Sequence, residues 1–184
     1  MPTSNIQLVQ ERSDRSDQIA FRTPRTEDGA AVWRLIRSSE PLDENSLYCN
    51  LLQCDHFGDT CVAAERASDS ELVGWVSAYV MPDDQQTVFV WQVAVDESAQ
   101  GQGIARKMLA ALLEREACAD VRRLKTTITL DNAASWALFK SFSRSKGAEL
   151  SSEPYFRRDD HFDGAHVTEH MVTIALPEEA RSAN

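Results

Sequence analysis

Positive charge is the first thing the sequence is short of. Its 184 residues carry 19 Lys and Arg against 29 Asp and Glu, a formal net charge of -10 at pH 7. Such a field repels phosphodiester backbones and anionic lipid surfaces, so neither nucleic acid nor membrane is an expected partner, whereas a cationic small molecule is compatible with it. Long apolar runs are also missing. None approaches the roughly 18 residues of a membrane span, and the opening MPTSNIQLVQERSDRSDQ has neither the basic start nor the apolar core of a secretory signal. The expected location is the cytoplasm. Cysteine is scarce and unclustered: Cys49, Cys54, Cys61 and Cys118 form no CxxC pair and lie within apolar patterns, which predicts reduced, packed thiols.

What is present is ordinary globular composition, with 42% hydrophobic and 26% charged residues, and a length that suits one domain able to bury its own core. Residues 1–18 and 177–184 are polar without periodicity and read as a mobile leader and tail, leaving a single domain over 19–176. Within it, Ile19 to Thr23 reads as a strand stopped by Pro24. Thr26 then caps a helix with Val32, Leu35 and Ile36 on one face, and Ser46 caps another with Leu47, Leu51 and Leu52. A strand at Cys61 to Ala64 precedes the pair ELVGWVSAYVM and TVFVWQVAV, separated by PDDQQ. An amphipathic helix carrying Ile104, Met108, Leu109, Leu112 and Leu113 follows, then the strand RLKTTITL, a helix capped by Asn132 and ended by Gly147, and a last strand from Val167 to Leu176. This order predicts an α/β (α+β) architecture, a sheet with helices on both faces.

The most informative segment is WQVAVDESAQGQGIARKMLAALL, in which a buried strand runs through a glycine turn directly into a helix. Glycines at 101 and 103 clear side chains from the approach, and the helix start offers unpaired N–H groups and partial positive charge to a pyrophosphate. A GxG turn alone is equally consistent with a tight turn. The third glycine of a dinucleotide fingerprint is absent, and Lys107 does not fit a P-loop. In its context, however, Gln100-Gly101-Gln102-Gly103-Ile104-Ala105 matches the Q/R-x-x-G-x-G/A motif of the GNAT acetyltransferase superfamily, and the later block Asn132 to Phe139 resembles that superfamily's N-x-x-A/S-x-x-L-Y segment. The resemblance implies acetyl-coenzyme A as cosubstrate, no metal, and a mixed, mostly antiparallel sheet in which Val88 to Val95 and Lys125 to Leu130 splay apart. Val93, Val95, Gln100, Gly101, Gly103, Ile104, Ala105, Asn132, Ser135 and Phe139 would line the cofactor. Phe139 departs from the pattern, because many members carry there a tyrosine that protonates the leaving thiolate.

More narrowly, Phe21 to Leu176 resembles the diaminobutyrate acetyltransferases of ectoine biosynthesis, through FRTPRTEDGAAVWRLI, LDENSLYCNLLQCDHF, the cofactor segment and the closing HVTEH. That implies a direct transfer of acetyl to the γ-amine of L-2,4-diaminobutyrate and, by analogy with other members, a homodimer. An amine of pKa about 10.4 must lose a proton to react, which costs about 4 to 5 kcal/mol at pH 7 unless the site supplies a base. Two polar clusters offer the groups. In LDENSLY the bland reading is helix capping, and the resemblance instead makes Asp43 an ammonium partner and Tyr48 a wall or donor of the acceptor pocket. Trp91 is either core or an apolar wall for the substrate's methylenes. In DDHFDGAHVTEH, His161, His166, Glu169 and His170 have no metal-ligand spacing. Glu169 is expected as the acid that orients or deprotonates the amine and His166 as a second polar contact, although in an unbroken strand the two would face opposite ways. Two other readings stay open: a GNAT enzyme for another small amine or amino acid, and a non-catalytic acetyl-coenzyme A sensor.

Overall fold

Proline 24 has no N–H to give to a ladder, and β1 ends just before it at Ile19–Arg22. The structure, a computed structural model, describes residues 18–39 and 42–177, so the expected leader and tail lie almost wholly outside the described residues. Thr26 does not cap the first helix. Thr26–Asp28 form a 3-10 turn, and the Asp28 carboxylate, drawn in by Arg22 at 2.7 Å, accepts from the Arg25 N–H at 2.6 Å. Helix α1 follows at Gly29–Arg37 with Val32, Leu35 and Ile36 buried.

Ser46 does cap α2 (Leu47–His56), its hydroxyl accepting from Cys49 N at 3.1 Å. The inward face of α2 is not the expected leucine stripe. Asn50, Gln53 and Cys54 are buried and Leu47 is exposed, because Asn50 Nδ2 donates to Gln53 Oε1 at 3.0 Å and the two amides partly satisfy one another.

The remaining elements are β2 (Val62–Arg66), β3 (Leu72–Met81), β4 (Asp84–Val95), α3 (Ile104–Leu113), β5 (Arg123–Thr129), α4 (Ala133–Ser145), β6 (Glu149–Phe156), the one-turn α5 (Arg158–His161) and β7 (Glu169–Ala175). The seven strands form one sheet in the order β1-β2-β3-β4-β5-β7-β6. Every pairing is antiparallel except β4 with β5. Strand β6 has no counterpart in the sequence reading. ELSSEPYF lies at the edge of the sheet, is exposed at nearly every position, and so carries no alternation to reveal it.

The parallel ladder is short. It pairs Thr87 with Arg123, Val88 with Leu124 and Phe89 with Lys125, and then stops. Beyond that point β4 stays with β3 as far as Val95 opposite Gly74, and β5 stays with β7 as far as Thr129 opposite Glu169. The middle of the sheet therefore opens, as the splay expectation required.

A bulge sits on the β4 side of this opening. Ala78 faces Val90 and Ser77 faces Gln92, which leaves Trp91 without a cross-strand partner. One extra residue inverts the alternation. Val88 and Val90 belong to the core beneath α3 and α4, and beyond the bulge it is Val93 and Val95 that pack on that core, while Ala94 joins the second core beneath α1 and α2. The first core is built on Met108, Leu109, Leu112, Leu124, Phe142 and Ile174, and the second on Val32, Ile36, Cys61 and Trp75.

Burial raises the thiols of the packed cysteines, pushing Cys54 and Cys61 up to about 12 and Cys118 up to about 11. At pH 8 the folded protein should therefore yield at most Cys49, the one partly exposed thiol, to an aromatic disulfide reagent, with the other three reacting only after unfolding in guanidinium. Rapid titration of all four in the folded protein would contradict this packing.

Candidate active site

The glycine turn after β4 is held open by backbone conformation. Gly101 has φ +77° and Gly103 φ +71°, left-handed values at which a Cβ is strained, and Gly103 is the residue that starts α3. A side chain would have room: a Cβ built at Gly101 meets nothing within 4 Å, and at Gly103 only the tip of Arg106 at 3.7 Å. The space in front of the turn is therefore open where a side chain at Gly101 would stand. The Gln100 amide ties the turn back to the strand by donating to the Val95 carbonyl at 3.2 Å.

From this turn a groove of about 600 Å³ runs between the end of β4 and the start of α4, lined by Val93, Val95, Gln100, Gly101, Gly103, Ile104 and Ala105 on one side and by Asn132 and Ser135 on the other. Asn132 is fixed there by its capping bond, its Oδ1 accepting from Ser135 N at 3.0 Å. Phe139, 3% exposed, lines the adjoining cavity instead of the groove.

That second cavity, about 390 Å³, shares Leu42, Val93, Asn132 and Ser135 with the groove and continues it toward β7. Asp43, Trp91, His166 and Glu169 line it together, so residues far apart in sequence meet on one wall system. Trp91 is half exposed, since the bulge turns it out of the ladder. Tyr48 does not line either cavity. It is 68% exposed on the first turn of α2, pointed away by the same helix phase that exposes Leu47.

Strand β7 begins at Glu169, not Val167, and this later start resolves the facing problem. His166 lies in the preceding loop and its Nε2 comes within 4.0 Å of Glu169 Oε1. Its Nδ1 lies 2.7 Å from the Val167 carbonyl, which can only accept, so that nitrogen carries a proton and Nε2 is left to face the carboxylate. Glu169 Oε2 is buried with no hydrogen-bond partner among the described residues. Burial pushes the Glu169 carboxyl above the usual carboxylate range; His166 and a Thr127 hydrogen bond act the other way, and the Asp43 charge adds to the rise.

The other two histidines are elsewhere. His161 Nδ1 accepts from Arg157 N at 3.0 Å within the α5 turn, and His170 sits in β7 opposite Ile128 and Pro154. Among the described residues no three His, Cys, Asp or Glu side chains are grouped to hold a metal. Sequence reasoning missed Asn45, Gln92 and Thr127, all of which line the acceptor-side cavity. The available signal was Gln92, a polar side chain within the most apolar strand, which is buried on the α1/α2 side of the sheet.

Comparison with known proteins places this geometry. The model of the acetyltransferase (GNAT) family matches residues 29–143. An L-2,4-diaminobutyric acid acetyltransferase of Vibrio cholerae is 47% identical over 156 residues, covering 85% of this chain and 89% of that protein. One from Halomonas elongata is 42% identical over 154 residues, covering 84% and 79%. Among solved structures, the diaminobutyrate acetyltransferase EctA of Paenibacillus lautus, in complex with L-2,4-diaminobutyric acid and coenzyme A, matches with a TM-score of 0.81 at 38% identity, covering 86% of this chain and 95% of that one.

A carboxyl whose folded pKa is raised costs stability when ionised and ceases to do so once protonated. Glu169→Gln should therefore melt at or above the wild-type temperature at pH 7 to 8. That advantage should shrink as pH falls through the folded pKa and vanish below the ordinary carboxyl value of about 4.3. A variant that melts lower than wild type at pH 7.5 and gains on it toward pH 5 would reverse the sign of the burial effect.

Proposed function

This chain belongs to the GNAT acetyltransferase family, and we propose that it moves the acetyl group of acetyl-coenzyme A onto the γ-amine of L-2,4-diaminobutyrate, the N4-acetylation of ectoine biosynthesis. One observation carries the reading. The cleft is continuous, with a glycine turn and helix start suited to a pyrophosphate at one end and acidic residues that include Asp43 and Glu169 at the other.

The residues fit the cosubstrate. Gly101 and Gly103 leave a cradle that side chains would occupy, and the unpaired backbone of β4 beyond Phe89 offers N–H and C=O groups to an extended arm. Acetyl-coenzyme A brings the thioester as acetyl donor. At the other end, Asp43 and Glu169 suit a substrate that arrives with two ammonium groups. Glu169 takes the proton from the γ-ammonium, and its raised pKa narrows the gap to that amine. His166 faces Glu169 through Nε2 at 4.0 Å. The C–N bond forms as the C–S bond breaks. Phe139 has no proton to give the departing thiolate, which with a thiol pKa of about 8.5 needs only the help of water. Trp91 flanks the methylene chain.

We propose likewise a single catalytic domain over 19–176 and a cytoplasmic location, which suits the packed thiols of Cys54, Cys61 and Cys118. No helix among the described residues is long and apolar enough to cross a membrane. It extends as well to a homodimer. Edge strand β6 is exposed on both faces, with Tyr155 and Phe156 each about two-fifths exposed, and a second copy would cover it.

Thiol release from acetyl-coenzyme A with diaminobutyrate, lysine, ornithine and polyamines tests the function. Diaminobutyrate should be turned over fastest; preference for another amine, or no turnover with any, removes the assignment. Glu169→Gln should lower kcat by about 10²-fold or more with acetyl-coenzyme A affinity unchanged, and recover in part toward pH 10 as free amine accumulates. Wild-type kinetics across pH 6 to 10 would put Glu169 outside the chemistry. Gly103→Val should weaken acetyl-coenzyme A binding about 10-fold or more in calorimetry, through a side chain in the cradle and the strain of a β-branched residue at φ +71°. Unchanged affinity would remove the cradle.

A further inference from the structure

Gln92 sits immediately after the Trp91 bulge and is 6% exposed. Its side-chain amide is used at both ends. Nε2 donates to the Asp43 carbonyl at 2.7 Å, and Oε1 accepts from Asn45 Nδ2 at 2.8 Å. These two bonds run from the central strand of the sheet to the segment between α1 and α2, more than forty residues earlier in the chain.

Among the described residues, little else holds that segment. Leu42 N donates to the Ser39 carbonyl at 3.0 Å, and the Leu42 side chain packs on the second core. At the far side Ser46 is engaged as the cap of α2. Between them, Arg37 reaches Glu44 at 3.3 Å, but both side chains are at least half exposed, and such a pair orders little. Among the hydrogen bonds of the described residues, the Gln92 pair is what ties 43–45 to the sheet. Asp43, which lines the cavity and whose charge acts on Glu169, is held through its own main chain by this amide.

We propose that Gln92 is a positioning residue for the acceptor amine: it clamps the Asp43–Asn45 segment to β4 so that the Asp43 carboxylate stands opposite Glu169 across the cavity. The inference rests on the diaminobutyrate reading for what Asp43 receives. The bulge explains why β4 can do this. With regular alternation residue 92 would face the α3/α4 core together with Val88 and Val90; the extra residue at 91 sends it to the opposite face, under the segment it holds. The same strand thus lines the cosubstrate groove with Val93 and fixes the acceptor side with Gln92. The distance between the two reactants is set by one rigid element.

Gln92→Met keeps the length of the side chain and removes both bonds. It should raise KM for diaminobutyrate by about 10-fold, with KM for acetyl-coenzyme A and kcat changed less than about 2-fold. Asp43→Asn should raise the same KM, and the double variant should be no worse than the poorer single one, because both act through one carboxylate. Backbone ¹⁵N relaxation of the free protein reads the clamp without turnover: order parameters of Asp43 to Asn45 should fall toward about 0.6 or lower in Gln92→Met while β4 stays rigid. Asn45→Ala, which removes one bond from the loop side, should shift both readouts in the same direction and serves if Gln92→Met does not fold. An unchanged diaminobutyrate KM overturns the proposal, and so does a raised KM with an unaltered segment, which would make Gln92 a direct substrate contact. Wild-type protein inactive on diaminobutyrate would sink the functional reading instead, and the relaxation measurement would still judge the clamp.

Discussion

Two strands that begin as partners and then separate control everything else in this molecule. A ladder of three residue pairs between β4 and β5 leaves the centre of a seven-stranded sheet with backbone donors and acceptors that no neighbouring strand satisfies. An open centre of this kind is stable only because each strand is held on its outer side, β4 by β3 and β5 by β7, along nearly its whole length. The two helices that close the groove take their positions from the same opening. Helix α3 starts at the glycine turn that follows β4, and α4 starts at the Asn132 cap that follows β5. The cleft is thus a consequence of the pairing pattern, and its lining residues come from the ends of the elements that flank it.

The acidic balance of the chain looks unspecific until it is located. A net charge of -10 spread over a surface would mostly be screened by salt. Asp43, Asp131 and Glu169 face one cavity from separate elements, the two aspartates exposed and Glu169 half-buried at a strand start. The Glu169 carboxyl is raised first by burial, and the Asp43 charge adds to the rise. In the proposed function, a dication entering the cavity would be drawn by this negative charge. In the same proposal, the anionic end of the cosubstrate would be met at the opposite end of the cleft by backbone N–H groups, where no carboxylate is needed.

Most of the scaffold was legible because its signals are local. The Gly101 and Gly103 turn, the Asn132 and Ser46 caps and the apolar stripe of α3 each depend on a few neighbouring residues, and each lies where its residue types dictate. The motif resemblance supplied the splay, which no periodicity could have shown. The failures are of three physical kinds. Strand β6 is exposed on both faces and has no alternation to detect. Helix α2 turns amides inward, so its leucines mark the wrong face, and Tyr48, expected at the pocket from the resemblance alone, stands exposed on the first turn of the same helix. The acceptor side is assembled from a loop, a bulge and a strand start, and Gln92 became visible only when Asp43 and Asn45 were seen above it.

The unpaired Trp91 also has a consequence for how this strand can change over time. On the near side of it the even-numbered residues Val88 and Val90 face one core, and on the far side the odd-numbered Val93 and Val95 do. Substitutions within either half leave the other half in phase, but a deletion or insertion anywhere between 88 and 95 exchanges inside for outside over all that follows it, as a frameshift does to codons. Segments taken from relatives can be spliced into β4 on either side of this tryptophan only if the total count of residues is kept. The extra residue behaves as punctuation, and its number in the chain is more constrained than its identity.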